Sequence, residues 1–256
     1  MGRPSNNRIG EQFITNEEYK IVIVEYNNTH DLWVEFQDEH KARIHTNYSA
    51  CRKGNVKNPY HPSVYGVGYF GVGKYKSRDE YGVLTDEYSK WKEMLRRGFD
   101  EKYKLREPTY KDVIVDPKLY CFQDFAKWYE DNYYTVNNEK MQLDKDILVK
   151  GNKEYRFDRM IFVPERINTL FVKCDARRGD LPIGVYYNKE KNKYQASCRV
   201  CNRSTHIGYY NTPERAFLVY KEIKEAYIKQ VADEYKGRIP DRLYDAMYAW
   251  KVEIDD

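Results

Sequence analysis

The stretch KYQASCRVCNRSTHIGYYNT, residues 193–212, decides the architecture of the C-terminal part of the chain. Its Cys198-x-x-Cys201 pair, with His206 close behind, has two readings: a metal knuckle, or two strands that carry thiols. A structural zinc site takes four ligands, and no second C-x-x-C or H-x-H stands in the sequence to complete one. Strand alternation accounts for the pattern instead. It puts Tyr194, Ala196 and Cys198 on one face and Gln195, Ser197 and Arg199 on the other. Cys198 is then a core thiol, and Cys201 falls in the turn VCNRST.

Outward from this stretch, three short strands at about 184–188, 193–200 and 205–210 lead into a helix capped by Thr212, with Pro213 at its first position. Along that helix Ala216, Val219, Tyr220, Ile223, Tyr227 and Val231 recur at steps of three or four. One apolar stripe results, so the helix lies on the sheet. A last helical piece, PDRLYDAMYAW (240–250), covers an end of the same unit.

Towards the N-terminus, EYKIVIVEY (18–26), DLWVEFQ (31–37) and KARIHT (41–46) are β-prone runs separated by turn residues, the pattern of a small meander or barrel. The basic tail CRKGNVKNPYHP that follows reads as a linker. In YGVGYFGVGKY (65–75) the glycines suggest a phosphate cradle, but no GK[ST] closes the segment, and a turn between short strands is the better reading. Two helices are expected in the middle third. TDEYSKWKEMLRRGF (85–99) and FQDFAKWYEDNYY (122–134) space their rings as core-facing residues. A hairpin over MQLDKDILVKGNKEYRFDRMIFVPERIN (141–168), with KGNK at its turn, comes next.

Composition sets the frame for these elements. Of 256 residues 33% are charged, yet 16% are aromatic and 26 are tyrosines, far too many rings for a disordered chain. A mean hydropathy of −0.90 points to small, thin-cored modules in which tyrosine rings pack while their hydroxyls stay wet. Five scattered cysteines, Cys51, Cys121, Cys174, Cys198 and Cys201, do not make a disulfide framework. No apolar run reaches the roughly 20 residues of a membrane span, and MGRPSNNRIG lacks a signal peptide's apolar core. We therefore expect a cytoplasmic protein with no membrane partner. A net charge of +4 permits a polyanionic one.

The segment over residues 181–230, with IGVYYNKEKNKYQASCR, IGYYNTPERAF and VYKEIKEAY, resembles the APETALA-type (ethylene-response-factor) DNA-binding domain. In that family a three-stranded sheet enters the major groove and a helix supports it. The resemblance implies that Tyr186, Asn188, Lys191, Lys193, Gln195, Ser197, Arg199 and His206 face DNA. The plant domains carry arginines and a tryptophan where this chain has Tyr186, Asn188 and His206, so the sequence of bases read is not implied.

The 141–168 hairpin looks like the hairpin and helix start of phage-type HNH homing endonucleases, in which acidic or amide groups hold one divalent metal and a histidine deprotonates water. The resemblance makes Asp144, Lys145 and Asn152 the candidate catalytic residues, with Asp144 as metal ligand for Mg²⁺ or Mn²⁺. Lys145 replaces the histidine base, and a lysine near its ordinary pKa of about 10.4 cannot accept a proton at neutral pH. Arg159 stands at the last ligand position, where a cation repels metal. The site therefore reads as a degenerate nuclease. Residues 9–60 also look like modules found beside such nucleases, and together the resemblances imply a phage or mobile-element protein.

The sequence thus predicts an α+β protein of three modules: a small β module over 9–62, an HNH-like module over 67–173, and an APETALA-type domain over 181–256 with a C-terminal helix. The expected function is sequence-specific binding of double-stranded DNA. The alternatives are an active HNH-like endonuclease, and a phage protein that binds a host protein through its tyrosine-rich surfaces.

Overall fold

The computed structural model describes residues 7–172, 180–200, 203–254 and 256. Its fold class is α+β, with several small antiparallel sheets. The chain divides into two units: Met1–Asp131 with Tyr155–Phe157, and Asn132–Glu154 with Asp158–Asp256.

The first unit opens with a four-stranded meander in the order β1 (Gln12–Ile14), β2 (Lys20–Asn28), β3 (Asp31–Phe36), β4 (Arg43–Thr46). Alternation directs Ile21, Ile23, Leu32, Val34 and Phe36 inward, and each is fully buried. The short helix α1 (Tyr48–Arg52), capped by the Asn47 side chain, adds Cys51 to this core.

Residues 51–62 are folded onto the meander, contrary to their reading as a linker. Glu17 accepts the Asn58 N–H at 3.0 Å and pairs with Lys57 at 3.1 Å, while the Asn58 amide donates to Asp38 at 2.7 Å. Val56 is buried beneath them. Helix α2 (Asp86–Phe99) starts at the Thr85 cap and buries Trp91, Met94 and Leu95. After it come α3 (Glu101–Arg106), β5 (Ile114–Val115) and α4 (Phe122–Asn132).

The glycine-rich segment lies against these helices, which explains its composition without a phosphate. A Cβ at Gly68 would collide with Leu95 and Trp91, and one at Gly73 with Gln123. The Gln123 amide in turn brackets Tyr75, accepting its N–H at 3.1 Å and donating to its carbonyl at 3.0 Å.

The second unit holds β6 (Met141–Asp144). The chain then rejoins the first unit through β7 (Glu154–Tyr155), whose Tyr155 carbonyl accepts the Asp116 N–H at 3.0 Å. Next come β8 (Ile161–Pro164), antiparallel to β6 with Asp144 opposite Ile161, and α5 (Glu165–Asn168). Three further strands, β9 (Val185–Asn188), β10 (Lys193–Val200) and β11 (Arg203–Tyr210), form an antiparallel sheet with β10 central. The long helix α6 (Pro213–Tyr235) and α7 (Asp241–Ala249) complete the unit.

The division does not follow the expected boundary between 173 and 181, and the length of α6 explains why. At about 1.5 Å per residue its 23 residues span roughly 35 Å, far beyond three strands about 4.8 Å apart. Its first half packs Ala216, Phe217 and Tyr220 under Val185, Ala196 and Cys198. Its second half packs Tyr227, Ile228, Val231 and Tyr235 against Ile161, Val163 and Ile167, so the hairpin region and the C-terminal sheet share one supporting helix. Likewise the meander and residues 67–131 belong to one unit, with the Tyr60 and Tyr69 rings 5.7 Å apart and the Gly71 N–H bonded to the Pro59 carbonyl. Among the described residues no helix is long and apolar enough to cross a membrane.

Candidate nucleic-acid interface

The geometry of the C-terminal sheet follows from register. Across β9, β10 and β11, Tyr186, Gln195 and Tyr209 form one row, Asn188 and Lys193 a second, Ser197 and His206 a third, and Arg199 and Ser204 a fourth. Register partners share a face, and this is the face away from α6, because Val185, Ala196 and Cys198, which pack on the helix, occupy the alternate positions. Seven of the eight residues expected to face DNA therefore lie on one open surface, and Lys191 joins them from the β9–β10 turn. Tyr186 is 52% exposed, and Lys193, Arg199 and His206 are exposed as well.

His206 reaches this face through an irregularity. Strict alternation would put His206 and Tyr209 on opposite faces, since they stand three positions apart. The register shifts opposite Ala196 and Ser197, leaving Ile207 as the extra residue of a bulge. The bulge turns His206 outward, and its ring lies 4.5 Å from that of Tyr209. Tyr209 and Ser204 are outward residues that sequence reasoning missed, and Tyr209, one residue before the strand ends at Tyr210, carried no signal until the pairing with Gln195 was known.

The turn is ordered by its own side chains. Asn188 accepts the Lys191 N–H at 3.0 Å, the Tyr187 hydroxyl donates to the Asn192 side chain, and Asn192 sits in the left-handed region at φ +50°. The Lys191 ammonium stands 4.0 Å from the centroid of the Tyr209 ring. Ser197 spans to Ser204 Oγ at 3.1 Å and to the Thr205 carbonyl at 3.1 Å. No Asp or Glu occurs in any of the three strands, whereas Lys193, Arg199 and Arg203 do. The outward strand residues therefore carry only positive formal charge, from Lys193 and Arg199, while Arg203 pairs with Val200 on the helix side and Glu190 stands beside Lys191 in the β9–β10 turn.

Beneath it the Cys198 thiol is buried, and burial raises its pKa. Cys201, Cys174, Arg177 and Arg178 lie outside the described residues. Among the described residues no group of three or more His, Cys, Asp or Glu is arranged to hold a metal ion.

The candidate residues of the 141–168 hairpin are brought together elsewhere in the second unit: Asp144 ends β6, and Lys145, Asn152 and Arg159 lie in the 16-residue connection to β8. Asp144 Oδ1 accepts the N–H groups of Asp146 at 2.9 Å and Ile147 at 2.7 Å, as a turn cap does. Its carboxyl is pushed up to about 6, first by burial and then by the charge of Asp146, against the pull of those two backbone bonds. Lys145 is buried and donates to Asp146 at 3.2 Å and to the Asn152 carbonyl at 3.3 Å.

Asn152 closes the loop. Its amide donates to the carbonyls of Lys145 at 2.6 Å and Glu154 at 2.7 Å, and its oxygen accepts from Glu154 N–H and Arg159. Arg159 also pairs with Glu154 at 3.1 Å. The four residues thus satisfy one another within the chain, and Arg159 places its cation at the ring of acceptors. The arrangement can hold a loop, and its groups are directed at backbone atoms and at one another.

No family model matches the chain, and neither a curated protein nor a solved structure is significantly similar to it.

Proposed function

We propose that the chain binds double-stranded DNA with sequence preference through the outward face of β9, β10 and β11, as part of a phage or mobile-element protein acting in the cytoplasm. The observation that carries this reading is the register, which collects Tyr186, Asn188, Lys193, Gln195, Ser197, Arg199 and His206 on the sheet face turned away from α6, a face whose described strand residues include no acid. Three strands about 4.8 Å apart are about 10 Å across, and the major groove is about 12 Å wide. From Lys193 to Arg199 the central strand covers about 20 Å, or about six base pairs.

Chemistry divides the labour on that surface. Arg199 has the planar fork that fits guanine O6 and N7, and Gln195 the amide that fits adenine N6 and N7. Lys189, Lys191, Lys193 and Arg203 lie along the ends and edge, suited to phosphates, which position without specifying sequence. In this reading the Asp144–Arg159 loop is a structural remnant of a nuclease scaffold, since its polar groups are directed at each other.

The test is selection from a random duplex pool, followed by affinity measurement across a salt series and then addition of Mg²⁺ or Mn²⁺. Engagement of about four phosphates gives a log-log salt slope of roughly −3 to −4. An enriched motif with that slope and no cleavage supports the proposal. A slope near zero, or a pool that returns unenriched, overturns it. Metal-dependent cleavage would return the active endonuclease in its place.

A further inference from the structure

We infer that Tyr209 is a positioning residue for the DNA backbone: its ring holds the Lys191 ammonium over the open sheet face, making the β9–β10 turn a preorganised phosphate clamp. The inference rests on the duplex-binding reading above and deepens it.

Three contacts fix the clamp before any ligand arrives. Asn188 caps the Lys191 N–H at 3.0 Å, Tyr187 anchors Asn192, and the Lys191 ammonium sits 4.0 Å from the Tyr209 ring centroid. The Tyr209 ring is itself steadied by the His206 ring at 4.5 Å, through the bulge at Ile207. A free lysine on a solvated turn loses most of its rotamer freedom when it grips a phosphate. One already held in place loses less, and the saving appears as affinity.

The kind of partner matters as much as its presence. A carboxylate would hold the lysine equally well but would cancel its charge and occupy its N–H groups. An aromatic face attracts the ammonium through its quadrupole and leaves both the charge and the outward N–H donors for a phosphate. On a surface whose strands contain no acid, Tyr209 orders a cation without spending it.

The experiment is a double-mutant cycle on the full chain with a 20-base-pair duplex, the length chosen to exceed the roughly six-base-pair contact. Its members are wild type, Tyr209→Leu, Lys191→Ala and the double variant, with Tyr209→Phe beside them. Tyr209→Leu is expected to weaken binding roughly two- to fivefold without changing the salt slope, because the same charge still reaches phosphate. Tyr209→Phe keeps the π-face and stays within about twofold of wild type. Lys191→Ala lowers the slope by about one, and adding Tyr209→Leu to it produces no further loss.

In the free protein, the Lys191 ε-methylene protons should show an upfield ring-current shift in wild type and Tyr209→Phe that Tyr209→Leu abolishes. Tyr209→Met serves the same cycle if the leucine variant does not fold. Additive losses, a phenylalanine variant as weak as the leucine one, or an absent ring-current shift overturn the clamp while leaving duplex binding in place. A wild type with no salt-dependent binding overturns the duplex reading itself, and the clamp with it.

Discussion

Replacing Asp144 with Asn separates a structural carboxylate from a metal ligand. The carboxyl has an ordinary value of 3.8 and is pushed up to about 6 in the fold, mainly by burial and next by Asp146. Between those two values the folded chain holds a proton that the unfolded chain has released. Stability therefore falls as pH rises through that window and is level above it. The gap is about two units at about 1.4 kcal/mol each, or roughly 3 kcal/mol, and since part of the side chain reaches solvent the penalty at neutral pH is about 2 kcal/mol. Asparagine carries no such penalty. Its Oδ1 still accepts the Asp146 and Ile147 N–H groups, and its amide can donate to the Asp146 carboxylate that ionised Asp144 repels. Asp144→Asn is thus expected to raise the melting temperature of the second unit by roughly 4–8 °C at pH 7.5. At pH 4.5 the advantage should shrink to about a third, because the folded carboxyl is then still protonated and pH has risen only about 0.7 unit above the ordinary value of 3.8, so about a third of the gap has been crossed. Scanning calorimetry at the two pH values measures both effects. A variant less stable than wild type at pH 7.5, or one that loses a Mg²⁺-dependent cleavage present in wild type, refutes the reasoning.

Arg199→Ala should cost about 1–3 kcal/mol on the selected duplex and flatten preference at one base pair, with the melting temperature nearly unchanged, since the side chain is exposed on the outward face. Repeating the duplex selection with the variant checks this, and an unaltered motif would remove Arg199 from base readout. Cys198→Ser should do the reverse, because it places a hydroxyl in the core under α6 at a cost of about 1–3 kcal/mol and leaves the outward row untouched. Denaturant titration together with metal analysis checks it, and zinc released from the wild type on substitution would bring back the metal knuckle.

What could be read in the sequence is what local periodicity controls. The strands β2, β3 and β4, the cap of α6 and the inward set Tyr194, Ala196 and Cys198 all follow from alternation, turn residues and the Thr212–Pro213 start, each decided within a few residues. What could not be read depends on partners far along the chain. The 51–62 tail has a linker's composition, and it is fastened by Glu17, 41 residues before Asn58, so nothing local marks it as folded. The apolar stripe of α6 was legible as a stripe, but a stripe does not say what covers it. Its second half found Ile161, Val163 and Ile167, which is why the expected boundary near 173–181 has no counterpart in the division of the chain.

The bulge at Ile207 shows the same limit at the scale of one residue. A period-two count along RSTHIGYY sends His206 inward if Tyr209 points outward, and only the register against Ala196 and Ser197 reverses it. The outward face is therefore a property of the pairing, and so is the contact that lets Tyr209 order Lys191 from a different connection of the sheet. The same reasoning applies to Asn152. The resemblance made it a candidate catalytic residue, and its four bonds to Lys145, Glu154 and Arg159 brace a loop, a role that becomes visible only when the loop's two ends are seen to meet.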